Sequence, residues 1–169
     1  CVNDIWALRQ EGAIDAVVES DKSNPNKQCG IVLMHMQRDP QTMQFDPEYH
    51  DIITEVKEFL QERATLLENQ GIANNRIAID PGFGFGKSLE HNLKMLADFD
   101  QFSQLGYPVL AGISRKSMLG KLTGRDTNDR VAPSIAAAIL AADRGARIIR
   151  VHDVQETVDS LKLWEAVQN

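Results

Sequence analysis

Three times along this chain an amphipathic helical pattern ends at a glycine, and a short apolar run follows within a few residues. The first pattern carries Ile52, Ile53, Val56, Phe59, Leu60, Leu66 and Leu67 at helical spacing and stops at Gly71, before a strand at 76–80. The second carries Leu89, Leu93, Leu96, Phe99 and Phe102 and stops near Gly106, before a strand at 108–114. The third covers 130–144 and stops at Gly145, before a strand at 147–152. A glycine past the last turn supplies the left-handed residue that closes a helix at little cost. The flanks fit the same scheme: a helix at 13–20 precedes a strand at 30–36, and a last helix carries Val154, Val158, Leu161 and Val167, with Asp153 as its N-cap and Glu156 three residues on. Cys1-Val2-Asn3-Asp4 reads as the tail of a strand. Strands alternating with helices demand a parallel sheet with right-handed crossovers. An open doubly wound sheet and part of a βα barrel both satisfy the periodicity, and both place ligands at the carboxyl ends of their strands.

At 169 residues the chain suits one domain, 1–169, with a sizeable core. A net charge of -6 argues against a general nucleic-acid binder, whose affinity comes from dense lysine and arginine. An acidic protein can still hold a local cationic pocket for a small anion. Two cysteines without CxxC spacing give no disulfide framework, so a reducing cytoplasm is the expected location. His35, His50, His91 and His152 have no metal-ligand spacing. No apolar run is long enough for a membrane span, and no signal peptide is expected. The polar loop at 21–28 is expected to be a solvated turn on the face opposite the strand ends.

Polar residues cluster where those strands end. Asp80-Pro81-Gly82-Phe83-Gly84-Phe85-Gly86-Lys87 follows Ile77-Ala78-Ile79. A carboxylate there can receive two adjacent N–H donors of a ligand, or simply start an Asx-turn. The glycines allow backbone to approach a ligand closely. Pro81 stands where a phosphate-binding GxxxxGK[ST] loop needs glycine, so that motif is excluded. Phe85, between glycines, is a candidate substrate contact. Ser114-Arg115-Lys116-Ser117 lies at a strand-to-helix junction, where free N–H groups attract anions; Ser114 as a mere helix cap is the plainer alternative. Arg150 and His152 are two apart, so on a strand they share a side, facing a ligand or pairing internally with Asp153 or Asp80. His35 alone reads as a satisfied core histidine, and Asn3 as a weak addition to the pocket.

The set Val2-Asn3-Asp4, Leu33-Met34-His35-Met36, Asp80 to Lys87, Gly112-Ile113-Ser114-Arg115-Lys116-Ser117 and Arg150-Val151-His152-Asp153 resembles the dihydropteroate synthase family in order and spacing. The resemblance implies an α/β fold, a partial TIM-type βα barrel with the family's fourth to eighth strands and their helices. It implies a transferase of folate biosynthesis. The reaction joins 6-hydroxymethyl-7,8-dihydropterin diphosphate to p-aminobenzoate, giving 7,8-dihydropteroate and pyrophosphate, with Mg2+ as cofactor and sulfonamides as inhibitors. Carried over by position, Asn3, Met34, Asp80, Gly112, Lys116 and Arg150 would bind the pterin. Phe85 and Ser114 would bind p-aminobenzoate, and Arg150 and His152 the diphosphate. Lys116, Arg150 and His152 would act in catalysis. A homodimer is implied through segments 88–105, 130–144 and 154–168.

The family begins with three further βα units, which carry its metal-binding asparagine and two mobile loops. The chain therefore resembles a C-terminal portion, with no metal ligand of its own and no activity expected of the 169 residues alone. A smaller departure is Ala132-Pro133, where a glycine is expected nearby. Two alternatives stand beside the synthase: a non-catalytic pterin-binding or dimerisation fragment, and a pterin-binding methyltransferase module, against which Ser114-Arg115-Lys116 argues.

Overall fold

A computed structural model describes residues 1–43, 45 and 47–168. Among the described residues five strands run β1 (Val2–Asp4), β2 (Ile31–Met34), β3 (Ile77–Asp80), β4 (Leu110–Ala111) and β5 (Ile148–Ile149). All paired neighbours are parallel, and they follow chain order: β1 pairs β2, β2 pairs β3, and β4 pairs β5. A parallel bridge between Ile79 and Val109, with the Ile79 N–H on the Pro108 carbonyl at 3.0 Å, joins the two groups. No strand reverses the order, so right-handed crossovers carry the helices to one side.

The strands show why that side is the core. Ile31, Leu33, Ile77, Ile79, Val109, Ala111 and Ile113 join the large cluster with the helices. Val32, Ala78 and Leu110 form a small cluster of their own. Side chains alternate along a strand, so Asp80, two residues beyond Ala78, belongs to the small-cluster face. That face is the smaller one, and β2 and β3 are buried along their whole length.

The helices are α1 (Ala13–Ser23), α2 (Ile52–Asn69), α3 (Leu89–Ala97), α4 (Asp100–Ser103), α5 (Ser117–Thr123), α6 (Val131–Asp143) and α7 (Val154–Gln168). Asp51 caps α2, accepting from the Ile53 N–H at 3.0 Å. The stop glycines Gly71, Gly106 and Gly145 all have positive φ, as the helix ends require.

Several expectations are corrected. The second helix is two helices, α3 and α4, and its break lets Phe99 and Phe102 both bury fully while Leu93 is exposed. The extended backbone at 108–114 and 147–152 forms ladders over only two residues each, β4 and β5. The segment 21–28 is not all loop: α1 continues to Ser23, and Asp21 forms an ion pair with Arg76 at 2.6 Å. Asp153 stands directly before α7, at the N-cap position, with its carbonyl accepting the Thr157 N–H at 3.1 Å, and its carboxylate also pairs with Arg115 at 2.5 Å. The apolar residues of α7 are not covered: Thr157 is its buried residue, whereas Val154, Val158, Leu163 and Val167 are exposed.

Candidate active site

Five strand ends meet at one edge. Asp80 closes β3 with its carboxylate 1% exposed. Its Oδ1 accepts the Gly82 N–H at 2.8 Å, and its Oδ2 accepts Arg150 Nη2 at 3.2 Å. Arg150 Nη1 donates to Asn3 Oδ1 at 2.5 Å, so one guanidinium ties β3, β1 and the end of β5 together. Gly112 makes this reach possible, because a Cβ at that position would lie 2.4 Å from Arg150 Nη2. Met34 pairs in register with Asp80 and is fully buried.

Lys116 comes from the turn before α5. Its Nζ donates to the Phe83 carbonyl and lies 4.2 Å from the Phe85 ring centroid, a cation–π contact. The lysine therefore sits over the glycine loop, beside Asp80. Burial, first, and then Arg150 lower its pKa to about 8 against the upward pull of Asp80. Burial also pushes the Asp80 carboxyl up, opposed by Arg150, the Gly82 N–H, Lys116 and Lys87. Three cations surrounding one buried carboxylate keep an acceptor available to ligand N–H groups.

Ser114 is buried, and its hydroxyl accepts the His152 N–H at 3.2 Å and lies 3.0 Å from His152 Nδ1. His152 thus occupies part of the hydroxyl's hydrogen-bonding capacity. The next residues are held rigidly: Arg115 has φ 57, its N–H donates to Ser134 Oγ at 2.8 Å, and its carbonyl accepts Arg130 Nη1 at 2.9 Å. The Arg115–Asp153 ion pair then fixes the turn against the residue that follows His152. Ser117, the first residue of α5, is exposed, and no side chain caps that helix.

Asn3, Met34, Asp80, Phe85, Gly112, Ser114, Lys116, Arg150 and His152 thus all lie on strand ends or on the loops that leave them. Asn3, Asp80 and Arg150 are joined directly, and Ser114 with His152 forms a separate pair. Sequence reasoning missed two supports. Lys87 is buried, with Nζ 2.9 Å from His35 Nδ1. Asn92 is buried in α3, accepts the Gly84 N–H at 2.7 Å, and donates to the Ser88 carbonyl at 2.6 Å. A polar residue on the inner side of α3, four residues after the Ser88 cap, was the available signal for Asn92.

A parallel α/β fold whose strand ends converge on a buried carboxylate ringed by cations defines a class of small-molecule binding protein. Residues 1–152 match the family described as pterin binding enzyme, and the chain belongs to that family. It is 46% identical over 168 residues to the dihydropteroate synthase of Neisseria meningitidis serogroup C, covering 98% of this chain and 57% of that protein. It is similar to the solved Xanthomonas albilineans dihydropteroate synthase in complex with 7,8-dihydropteroate, at 48% identity and a TM-score of 0.87, covering 98% of this chain and 60% of that one. It is likewise similar to the Yersinia pestis dihydropteroate synthase with a sulfonamide drug complex, at 42% identity and a TM-score of 0.91, covering 98% and 58%. The chain therefore spans less than two thirds of the length of these relatives.

Proposed function

We propose that this chain supplies the pterin site of a dihydropteroate synthase. In this reading it contributes the fourth to eighth strands of a βα barrel. The observation that carries the reading is Asp80, a buried strand-end carboxylate oriented by Arg150 and the Gly82 N–H. A pterin presents an amino group and a ring N–H on one edge, and a carboxylate receives such a pair with two charge-assisted bonds. Lys116 suits the carbonyl side of the ring, and Arg150 offers a flat cation for its face. Sequential strand order without a switch point favours a barrel over a doubly wound sheet.

The substrates that follow are 6-hydroxymethyl-7,8-dihydropterin diphosphate and p-aminobenzoate. The C–O bond from the pterin methylene to diphosphate breaks, and the arylamine nitrogen bonds to that carbon and loses a proton. Arg150 and His152 stand where they can take up the leaving diphosphate charge, which is positional and electrostatic catalysis. The benzoate carboxylate goes to the turn leading into α5. The exposed Ser117 offers the freer hydroxyl there, with Ser114 holding His152 and Phe85 packing near the ring. Sulfonamides would compete for the same place. The resemblance also implies magnesium. Among the described residues no group of three or more His, Cys, Asp and Glu side chains could hold a metal ion, and no step is routed through it.

Isothermal titration of the chain with 6-hydroxymethyl-7,8-dihydropterin tests the reading. Saturable binding at one site is expected, and none at millimolar ligand, in a sample folded by circular dichroism, overturns it.

The uncovered residues Leu140, Val154, Val158, Leu163 and Val167 on α6 and α7 support a homodimer through these helices. Sedimentation equilibrium of the wild type and of Val158→Glu is expected to give a dimer and a weakened dimer. A monomeric wild type at micromolar concentration removes that expectation. Among the described residues no helix is long and apolar enough to cross a membrane. With both cysteines free, a cytoplasmic location fits the folate role.

A further inference from the structure

Lys87 is a buried cation that the reaction above leaves without a task. Its Nζ lies 2.9 Å from His35 Nδ1, 3.0 Å from the Phe85 carbonyl and 3.5 Å from the His35 carbonyl. An ammonium has three N–H donors, and three acceptors surround this one; a neutral amine would have one donor too few. His35 follows β2, and its N–H donates to the Asp80 carbonyl at 2.9 Å. Its ring is neutral: burial, then Lys87 and Arg9, hold its pKa far below the usual histidine range. Nδ1 therefore accepts from the protonated Lys87, because an ammonium has no lone pair to receive a proton.

The same loop has two neutral anchors. Tyr49 Oη donates to the Gly86 carbonyl at 2.8 Å, and Asn92 holds Gly84. Lys87 is the loop's buried charged anchor, and it is also felt electrostatically by Asp80. The segment it holds carries Phe83, whose carbonyl receives Lys116, and Phe85, whose ring lies under it.

We propose that Lys87 is a positioning residue of the pterin pocket, a protonated clamp that fastens the glycine loop to the end of β2 through His35 and steadies Asp80 from behind. The proposal rests on the pterin reading above. The groups facing Lys87 are His35 after β2, with Arg9 acting on it, Asp80 on β3, with Arg150 acting on it, and Lys116 before α5. Burial, the largest influence, brings Lys87 down to about 7, against the pull of Asp80, while Lys116 pushes the same way as burial. The clamp therefore loses its third donor as pH rises past neutrality. Pterin binding, which uses the clamped form, must weaken over the same range.

The test is the dissociation constant of 6-hydroxymethyl-7,8-dihydropterin from about pH 6 to about pH 9, for the wild type and Lys87→Met, with melting curves for both. At the acid end the variant is expected to bind about tenfold more weakly, and across the range the wild type to lose about tenfold more affinity than the variant. Ionisation of the free ligand is common to both proteins and cancels in this comparison. Equal affinities with parallel pH profiles would overturn the clamp even if the variant melts lower, because a purely structural lysine alters only the melt. Should Lys87→Met fail to fold, 15N-lysine NMR of the wild type decides: pterin is expected to raise the Lys87 titration midpoint, and an unmoved midpoint overturns the proposal. A wild type that binds no pterin at any pH removes the pterin reading, and the clamp with it.

Discussion

Asp80→Asn is expected to weaken pterin binding by about 2–4 kcal/mol, or roughly 30- to 1000-fold, while leaving the fold intact. The shape is conserved, and the amide oxygen can still accept the Gly82 N–H that now goes to Oδ1. The other end changes sign: an NH2 group replaces Oδ2 and points its hydrogens at Arg150 and at the N–H donors of the ligand. A buried donor meeting donors costs its own desolvation as well as the lost bond. Stability should change much less. Arg150 keeps Asn3 as a partner, and its side chain is 42% exposed, so water satisfies what Asp80 releases. Titration calorimetry on wild type and variant, with matched circular dichroism, separates the two effects. A dissociation constant within twofold of wild type in a folded sample would take Asp80 out of the pocket.

Asp80 was legible in the sequence because a strand pattern ends on it and a glycine-rich loop starts just after it. The same reasoning found Lys116 and Arg150, since Ile113 and Ile149 beside them belong to or pack against the core and leave the cations at the strand ends. The stop glycines were legible because left-handed backbone has a nearly local sequence signal. What stayed hidden depended on partners far along the chain. Asp153 takes the position before α7 that its local marks announce, but the partner of its carboxylate, Arg115, is 38 positions away. The contact of Ser114 with His152, 38 positions on, has no local signal either. Lys87 follows six loop residues, and nothing in its local sequence marks it as buried. Its burial is decided by His35, 52 positions upstream, which the strand register sets beside the residue after Asp80. The break between α3 and α4 was equally non-local: helical spacing continues through it, and the packing of Phe83 on Phe99, with ring centroids 6.1 Å apart, lies outside any one helix.

Gly82→Ala is expected to cost about 2–5 kcal/mol of stability, a large part of the roughly 5–15 kcal/mol that a domain of this kind has. Two penalties add. Gly82 has φ 73, a left-handed conformation that costs an alanine about 1–2 kcal/mol. Its new Cβ would also lie 1.9 Å from the His35 carbonyl oxygen, and backbone on both sides leaves no flexible side chain to yield. Forced overpacking adds about 1–3 kcal/mol. Gly124→Ala isolates the first penalty, because Gly124 has φ 68 and nothing within 4 Å of the added methyl. The Gly124 variant should melt only slightly below wild type, and the Gly82 variant roughly 5–20 °C below. Relief of the clash lifts the loop off the end of β2. That movement carries Lys87 away from His35 and the Phe83 carbonyl away from Lys116, so pterin affinity should fall even below the melting temperature. Equal melting temperatures for the two variants, with unchanged pterin binding in the first, would mean that the loop does not press on β2 as described.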